Sequence, residues 1–131
     1  MKQPDQCNSP AALRYSAEHI WILADDNDLL AGITDFAQDQ LGEVVYVELP
    51  LPGDSFQAGE PFGSVESLKS VSSLFMPVSG KIHTVNAALE ASPTLINIGP
   101  YDRGWLIRIT PDDPSDVEGL LSAAGYLHAL T

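Results

Sequence analysis

The stretch Glu66-Ser67-Leu68-Lys69-Ser70 lies between two short apolar segments, 62–65 and 71–75. β-Branched and aromatic residues on both sides of a few turn-forming residues are typical of a β-hairpin. Lys69 falls where this hairpin turns, so we expect its side chain to be exposed. The 54 residues before Lys69 contain eleven Asp or Glu and no Lys or Arg. A modifying enzyme would therefore meet one isolated primary amine.

Outward from this hairpin, short apolar pieces alternate with Gly or Pro from Gly53 to about Ile98. This spacing predicts small barrel-like or sandwich sheets and argues against a parallel βαβ arrangement. The segment 95–98 is one of these β pieces. The sequence therefore predicts a mainly β fold with short helices.

Upstream, the pattern predicts a hairpin, a short helix and a further strand. The runs 19–23 and 29–33 are apolar, and acidic turn residues separate them. This acidic turn lacks the ligand spacing and the glycine of a calcium loop. Thr34 can cap a helix that Gly42 ends, and 44–49 is rich in β-branched residues.

The C-terminal part predicts one more strand and then two helices. The strand covers 105–109, with Arg108 facing water. Asp113-Pro114 has the cap residue and first-turn proline of a helix over 114–121. Ser122 can cap a second helix over 122–130. Nothing in this region indicates chemistry.

Size and composition predict one domain. The 131 residues, of which 44% are hydrophobic, can bury a core without disulfide bonds. We expect a flexible arm over 1–12 and a single domain over 13–131. The only cysteine, Cys7, lies in that polar arm, which indicates a reducing compartment. The net charge of −12 disfavours nucleic-acid and membrane-surface partners. With no long apolar run and no signal-peptide layout, these features predict a cytoplasmic bacterial protein.

Residues that could form an independent active site are not grouped in this sequence. His19, His83 and His128 are far apart, and none has a Cys or His at the spacing of a metal site. There is no Gly-Xaa-Ser-Xaa-Gly elbow and no phosphate-binding glycine loop. We therefore expect no metal site and no catalysis by this chain alone.

Lys69 is the better candidate for a functional residue. A hairpin lysine is most often only a solvated surface residue. Here Glu66 precedes it, and Ser70 and Ser72 are small neighbours that leave the amine accessible. An exposed amine on a rigid root is what a covalently attached swinging cofactor requires.

Several stretches in register resemble the glycine cleavage H-protein family of lipoyl carriers, from about residue 13 to 130. The matching stretches are 32–38, 41–50, 65–70, 77–80, 95–97, 100–101 and 104–106. The resemblance implies a lipoyl/biotinyl-type barrel-sandwich hybrid with C-terminal helices. It also implies lipoic acid in amide linkage to Lys69. Glu66, Ser67 and Ser70 would then form the turn that a lipoate-protein ligase or lipoyl transferase recognises.

The resemblance further implies a non-catalytic carrier subunit of a multienzyme system. Such a carrier collects an aminomethyl group from a glycine decarboxylase that uses pyridoxal phosphate. It presents that group to a tetrahydrofolate-dependent aminomethyltransferase. A dihydrolipoyl dehydrogenase then reoxidises the dithiol of the lipoyl arm. The acidic composition suits transient docking steered by charge.

Two positions depart from the pattern of that family. Ile20 stands where the family usually has the glutamate of a His-Glu-Trp motif, and Ser73 stands where it has an acidic residue. In the family these acids help to shelter the loaded amine, so His19, Ile20 and Ser73 are candidates for the pocket that receives the arm. Glu18 could supply a carboxylate nearby. Two alternatives stay open: an H-like lipoate-binding protein that carries sulfur intermediates between sulfur-oxidation enzymes, and an interaction module without the cofactor.

Overall fold

The computed structural model describes Pro10, residues 12–25 and residues 27–130. In that part of the chain the strands are β1 (Arg14–Tyr15), β2 (Ile20–Asp25), β3 (Asp28–Ile33), β4 (Val44–Glu48), β5 (Ser55–Phe56), β6 (Pro61–Ser67), β7 (Val71–Phe75), β8 (Gly80–Val85) and β9 (Ile107–Pro111). The helices are α1 (Asp35–Leu41), α2 (Ala88–Ala91), α3 (Leu95–Ile98), α4 (Ala123–Leu130) and a 3₁₀ helix, Pro114–Gly119. The fold is mainly β with short helices, as the sequence predicts.

The strands form two antiparallel sheets. The larger sheet has six strands in the order β1-β2-β3-β9-β8-β5, and the smaller has three in the order β4-β6-β7. Strands β2 and β3 form the predicted first hairpin, and β6 and β7 form the predicted hairpin around Lys69. The architecture is consistent with the expected barrel-sandwich fold.

The main hydrophobic core is built from side chains of both sheets. Successive residues of a strand point to opposite faces, so each sheet can turn an apolar face towards the other. The fully buried members include Ile20, Ile22, Ile82, Ile107 and Ile109 from the larger sheet and Val44 and Val65 from the smaller. This shared core fixes the smaller sheet, and with it hairpin β6–β7, against the rest of the domain.

A second apolar cluster, made of Leu13, Tyr15, Trp21 and Tyr126, attaches α4 to strand β2. Trp21 pairs with Gly32 on the neighbouring strand. A Cβ at Gly32 would lie 2.7 Å from the indole Nε1 of Trp21, so the ring needs the glycine. The indole Nε1 donates to the carbonyl oxygen of Pro100 at 2.8 Å. The cluster therefore buries a large aromatic group without an unpaired donor.

Helix α1 begins and ends where the sequence predicts. The Thr34 hydroxyl accepts a hydrogen bond from the Ala37 amide at 3.2 Å, which caps the helix. Gly42 follows its last residue with φ of 83°, a value that favours glycine. The helix carries the chain from β3 in the larger sheet to β4 in the smaller.

The predicted strand at 95–98 is wrong, because this segment is helix α3. The amides of Ile98 and Gly99 donate to the carbonyl oxygens four residues earlier, at 3.0 and 2.9 Å. The β-branched residues favour a strand locally, but the helix buries Ile96 completely and directs Asn97 towards α1. Tertiary contacts therefore outweigh local propensity. Helix α2 was also not predicted.

The C-terminal predictions are mostly confirmed. The expected helix over 114–121 is shorter and of the 3₁₀ type, and α4 lies within 122–130. Arg108, which was expected to face water, is 27% exposed and donates to Asp25 Oδ2 at 2.9 Å. It is therefore a partly covered, paired side chain.

The expected arm over 1–12, including Cys7, lies outside the described residues except for Pro10 and residue 12. The division into this arm and one domain over 13–131 stays a prediction. Among the described residues, no helix is long and apolar enough to cross a membrane.

Candidate functional site

Lys69 lies at the turn of hairpin β6–β7, as predicted, and its side chain is exposed. The backbone amide of Ser67 donates to the carbonyl oxygen of Ser70 at 2.8 Å, which closes the turn. Leu68, beside the lysine, is 80% exposed. The domain therefore presents Lys69 on a short turn that paired strands hold on both sides.

The three residues expected to form the recognition turn have different surroundings. Ser67 is buried, and its hydroxyl accepts from the Lys69 amide at 3.3 Å and donates to the Ser70 carbonyl oxygen at 3.4 Å. Glu66 and Ser70 are exposed. Ser67 therefore supports the turn from inside, and Glu66 and Ser70 are accessible to another protein.

The stem of the Lys69 side chain passes over Gly42, at the junction of α1 and β4. Its Cε lies 3.4 Å, and its Nζ 3.8 Å, from the point that a Cβ on Gly42 would occupy. A Cβ at that point would be in van der Waals contact with the stem, so the stem lies close to the Gly42 backbone. Sequence reasoning missed this contact, since residues 42 and 69 are distant along the chain.

A cavity of about 250 Å³ lies beside this hairpin. Its walls come from the loop before β2, from helix α1 and from hairpin β6–β7. The lining residues are Glu18, His19, Ile33, Phe36, Ala37, Gln40, Leu41, Val65, Ser70, Val71, Ser72, Ser73 and Leu74. A cavity of mixed apolar and polar lining is suited to a small organic group.

The structure brings two of the three expected pocket residues together at this cavity. His19 and Ser73 both line it. Ile20 does not line it, because its side chain is fully buried in the main core. Glu18, which was considered only as a nearby acid, is a lining residue and places a carboxylate at the cavity.

His19 is held by contacts on several sides. Its Nδ1 lies 2.7 Å from the hydroxyl of Tyr126, and its ring centroid is 5.5 Å from that of Phe36. Burial lowers the pKa of His19, and the carboxylate of Glu18 acts in the opposite direction. The lowered pKa favours the neutral form of the imidazole. Sequence reasoning did not indicate that the Tyr126 hydroxyl would reach His19.

The described residues contain no group of three or more His, Cys, Asp or Glu that could hold a metal ion. Of the three histidines, His19 lies at the cavity and His83 lies on β8, 2.6 Å from Asp28 Oδ2. The site consists of an exposed amine on a fixed turn beside a small cavity. This arrangement can root a covalent arm and receive its far end.

Comparisons with known proteins assign this chain to a family. A family model described as glycine cleavage H-protein matches residues 13–131. The chain is similar to the glycine cleavage system H protein of Anaeromyxobacter sp. (strain K), with 54% identity over 117 residues, covering 89% of this chain and 91% of that protein. It is also similar to the H protein of Bacillus licheniformis, with 49% identity over 119 residues, covering 91% and 94%.

A solved structure agrees with these relatives. The crystal structure of a glycine cleavage system H protein from Mycobacterium marinum has a TM-score of 0.84 and 39% identity, covering 91% of this chain and 96% of that one. The relatives give no support to the sulfur-oxidation alternative. The hairpin, the fold and the sequence similarity agree over nearly the whole chain, which therefore belongs to the glycine cleavage H-protein family.

Proposed function

We propose that this chain carries lipoate in amide linkage to Lys69 and uses it to move the aminomethyl group of glycine between enzymes. The observation that supports this most directly is the exposed position of Lys69 on the closed turn of hairpin β6–β7. A modifying enzyme has access to the amine, and the paired strands give the arm a fixed root. As a member of the H-protein family, the chain is a lipoyl carrier and not an enzyme.

The residues around Lys69 fit a lipoyl arm. The amine is accessible, the stem has an open path over Gly42, and the mixed lining of the nearby cavity suits a chain of methylene groups that ends in a polar group. When attached, a lipoyl group supplies a reducible disulfide, whose sulfur takes up the cargo. The protein's own part is to anchor the arm, to orient it and to shield its far end from water.

The polar lining of the cavity suits a cargo that carries an amine. The carboxylate of Glu18 can pair with a protonated amine, and the hydroxyls of Ser72 and Ser73 can accept hydrogen bonds from it. We place Glu18 in the role that the two acids of the family pattern would otherwise fill. Ser73 contributes a hydroxyl where that pattern has an acid.

The proposed partners follow from the carrier role. A lipoate-protein ligase or lipoyl transferase would load Lys69, and Glu66 and Ser70 are the exposed turn residues that it could contact. The working partners would be glycine decarboxylase, the aminomethyltransferase and dihydrolipoyl dehydrogenase, in the bacterial cytoplasm. The net charge of −12 favours fast encounter with partners that carry basic patches.

Intact-mass measurement after co-expression with a lipoylating ligase tests the attachment site. We expect one lipoyl adduct on the wild-type chain and none on Lys69→Arg. Lys81→Arg is the matched control, because Lys81 is also exposed but lies within strand β8. An unmodified wild-type chain would contradict the proposal and would favour the interaction module without cofactor. An adduct that survives in Lys69→Arg would contradict Lys69 as the attachment site.

Glycine–carboxyl exchange with purified glycine decarboxylase tests the cargo. The lipoylated wild type should support exchange, and Lys69→Arg should not. Glu18→Gln should lower the exchange rate several-fold at saturating decarboxylase, whereas Glu118→Gln, an exposed change outside the cavity, should leave it unchanged. Absence of exchange with a fully lipoylated wild type would reject the aminomethyl cargo while leaving lipoylation intact.

A further inference from the structure

The hydroxyl of Tyr126 connects three parts of the structure. Tyr126 lies on α4 and is 1% exposed, with its hydroxyl 2.7 Å from Nδ1 of His19 and 2.7 Å from Oγ1 of Thr34. Thr34 caps α1, and Phe36 and Ala37 of that helix line the cavity. One buried hydroxyl therefore links the C-terminal helix to two walls of the arm cavity.

The backbone of His19 is also held in an unusual conformation. Its φ is 69°, and no other described residue except glycine has a positive φ. This region is unfavourable for residues with a side chain and persists where the surroundings enforce it. The His19 amide donates to the Ser16 carbonyl oxygen at 3.2 Å, and its carbonyl oxygen accepts from the Thr34 amide at 3.1 Å. These main-chain hydrogen bonds therefore fix the backbone position from which the His19 side chain extends.

The two ring nitrogens of His19 have different surroundings. Nδ1 is engaged by Tyr126, whereas Nε2 has no hydrogen-bond partner within the part of the chain that the structure describes. Every buried side-chain nitrogen or oxygen in that part has a partner. Nε2 is therefore accessible, and the ring that carries it lines the cavity.

We infer that Tyr126 is a positioning residue, which holds His19 in one orientation and one tautomer so that Nε2 is available to an arm or cargo in the cavity. A neutral imidazole carries one N–H, so Nε2 takes the role opposite to the one that Nδ1 takes in its hydrogen bond to the Tyr126 hydroxyl. The inference rests on the proposed attachment of the arm at Lys69. It gives α4, which lines no part of the cavity itself, a role in the carrier site.

The first test uses the unmodified protein, so it does not depend on lipoylation. Nitrogen-15 NMR of the histidine rings reports the tautomer of His19, whose signals are assigned by their loss in His19→Gln. One tautomer should dominate in the wild type. Tyr126→Phe keeps the ring that stacks on Tyr15 at 4.8 Å but removes the hydroxyl. The tautomer ratio should then change about fivefold, the factor of one ordinary hydrogen bond.

Two further variants make this test specific. Tyr15→Phe removes a hydroxyl from the same aromatic cluster, one that bonds the Pro10 carbonyl oxygen, and it should leave the His19 tautomer unchanged. Thr34→Ser keeps a hydroxyl next to Tyr126 and should also leave the His19 tautomer unchanged. An unchanged ratio in Tyr126→Phe, or an equal change in Tyr15→Phe, would overturn the inference. If Tyr126→Phe does not fold, an even mixture of tautomers in the wild type would overturn it as well.

The second test compares the unmodified and lipoylated wild type. The Nε2 signal of His19 should shift on lipoylation, and the shift should be smaller in lipoylated Tyr126→Phe. If mass spectrometry shows the adduct on Lys69 but the His19 signals are the same in both forms, the contact between His19 and the arm is rejected. If there is no adduct, the proposed function fails, and the tautomer result for Tyr126 is judged by the first test alone.

Discussion

The side-chain amide of Asn97 on α3 donates at 2.9 Å to the carbonyl oxygen of Gly42, the residue that the Lys69 stem passes over. The same amide nitrogen donates to Gln38 Oε1 at 2.9 Å, and the Asn97 carbonyl oxygen accepts from the Val44 amide at 2.8 Å. One side chain therefore joins the end of α1 to the start of β4. A helix that the sequence did not predict thus supports the root of the proposed arm.

Replacing Asn97 should destabilise the domain measurably. We expect Asn97→Ala to lower the free energy of unfolding by about 2–3 kcal/mol, because three hydrogen bonds of about 1 kcal/mol each are lost. Asn97→Asp keeps the acceptor for the Val44 amide but sets a carboxylate oxygen against the Gly42 carbonyl oxygen, so it should also destabilise the domain. Urea unfolding measures both. A value for Asn97→Ala within about 0.5 kcal/mol of the wild type, the range of ordinary surface changes, would show that this bridge contributes little.

Gly42 can be tested against a second glycine with a similar positive φ. Gly42 has φ of 83° and Gly59 has φ of 87°, so alanine should cost about 1–3 kcal/mol of strain at either position. An added Cβ at Gly42 would be in van der Waals contact with the Lys69 stem, 3.4 Å from Cε, and would restrict its movement, whereas one at Gly59 has nothing within 4 Å. Only Gly42→Ala should therefore also slow the lipoylation of Lys69. Equal lipoylation rates in the two variants would argue against a path over Gly42.

Thr34 combines two hydrogen bonds in one buried hydroxyl. It accepts from the Ala37 amide and is bonded to the Tyr126 hydroxyl. Thr34→Val keeps the shape but removes both, so we expect a loss of about 2 kcal/mol, the upper end for a helix cap. Thr34→Ser should lose less than about 1 kcal/mol, since it keeps the hydroxyl. Thermal unfolding compares the two, and a loss in Thr34→Val no larger than that in Thr34→Ser would contradict the expected contribution of the hydroxyl.

Asp28 should make stability depend on pH in the acid range. Burial raises its pKa, but the hydrogen bonds from His83 and Thr110 and the charges of His83 and Arg108 together outweigh burial and lower it. A carboxyl whose folded pKa is lowered stabilises the fold above its unfolded pKa of about 3.9. That contribution is lost as the pH falls through the folded pKa.

Urea unfolding of Asp28→Asn at several pH values checks this sign. The stability gap between the wild type and this variant should be largest at about pH 6 and should shrink towards pH 3, where the wild-type carboxyl begins to protonate. Asp116→Asn, an exposed change in the 3₁₀ helix, controls for the loss of one acidic charge. A gap that stays constant between these pH values would contradict the predicted role of Asp28.

The sequence predicted those structural features whose physical cause is local. Propensity and turn chemistry predicted three such features: hairpin β6–β7, the helix cap at Thr34 and the helix end at Gly42. Each depends on residues within a few positions of one another. The segment 95–98 failed, because its helix is favoured by the burial of Ile96 and the reach of Asn97, which are contacts with distant parts of the chain. Ile20 was considered for the cavity on sequence position alone, and strand geometry places it in the core instead.

The mainly β class and the position of Lys69 at a turn can be predicted from the sequence. Both follow from the spacing of apolar and turn-forming residues. The surroundings of that lysine depend on tertiary packing: the path over Gly42, the cavity with Glu18 and His19, and the link through Tyr126. These residues come from elements that are far apart in the chain. Their distances are set by the packing of two sheets around one core, which no local pattern encodes.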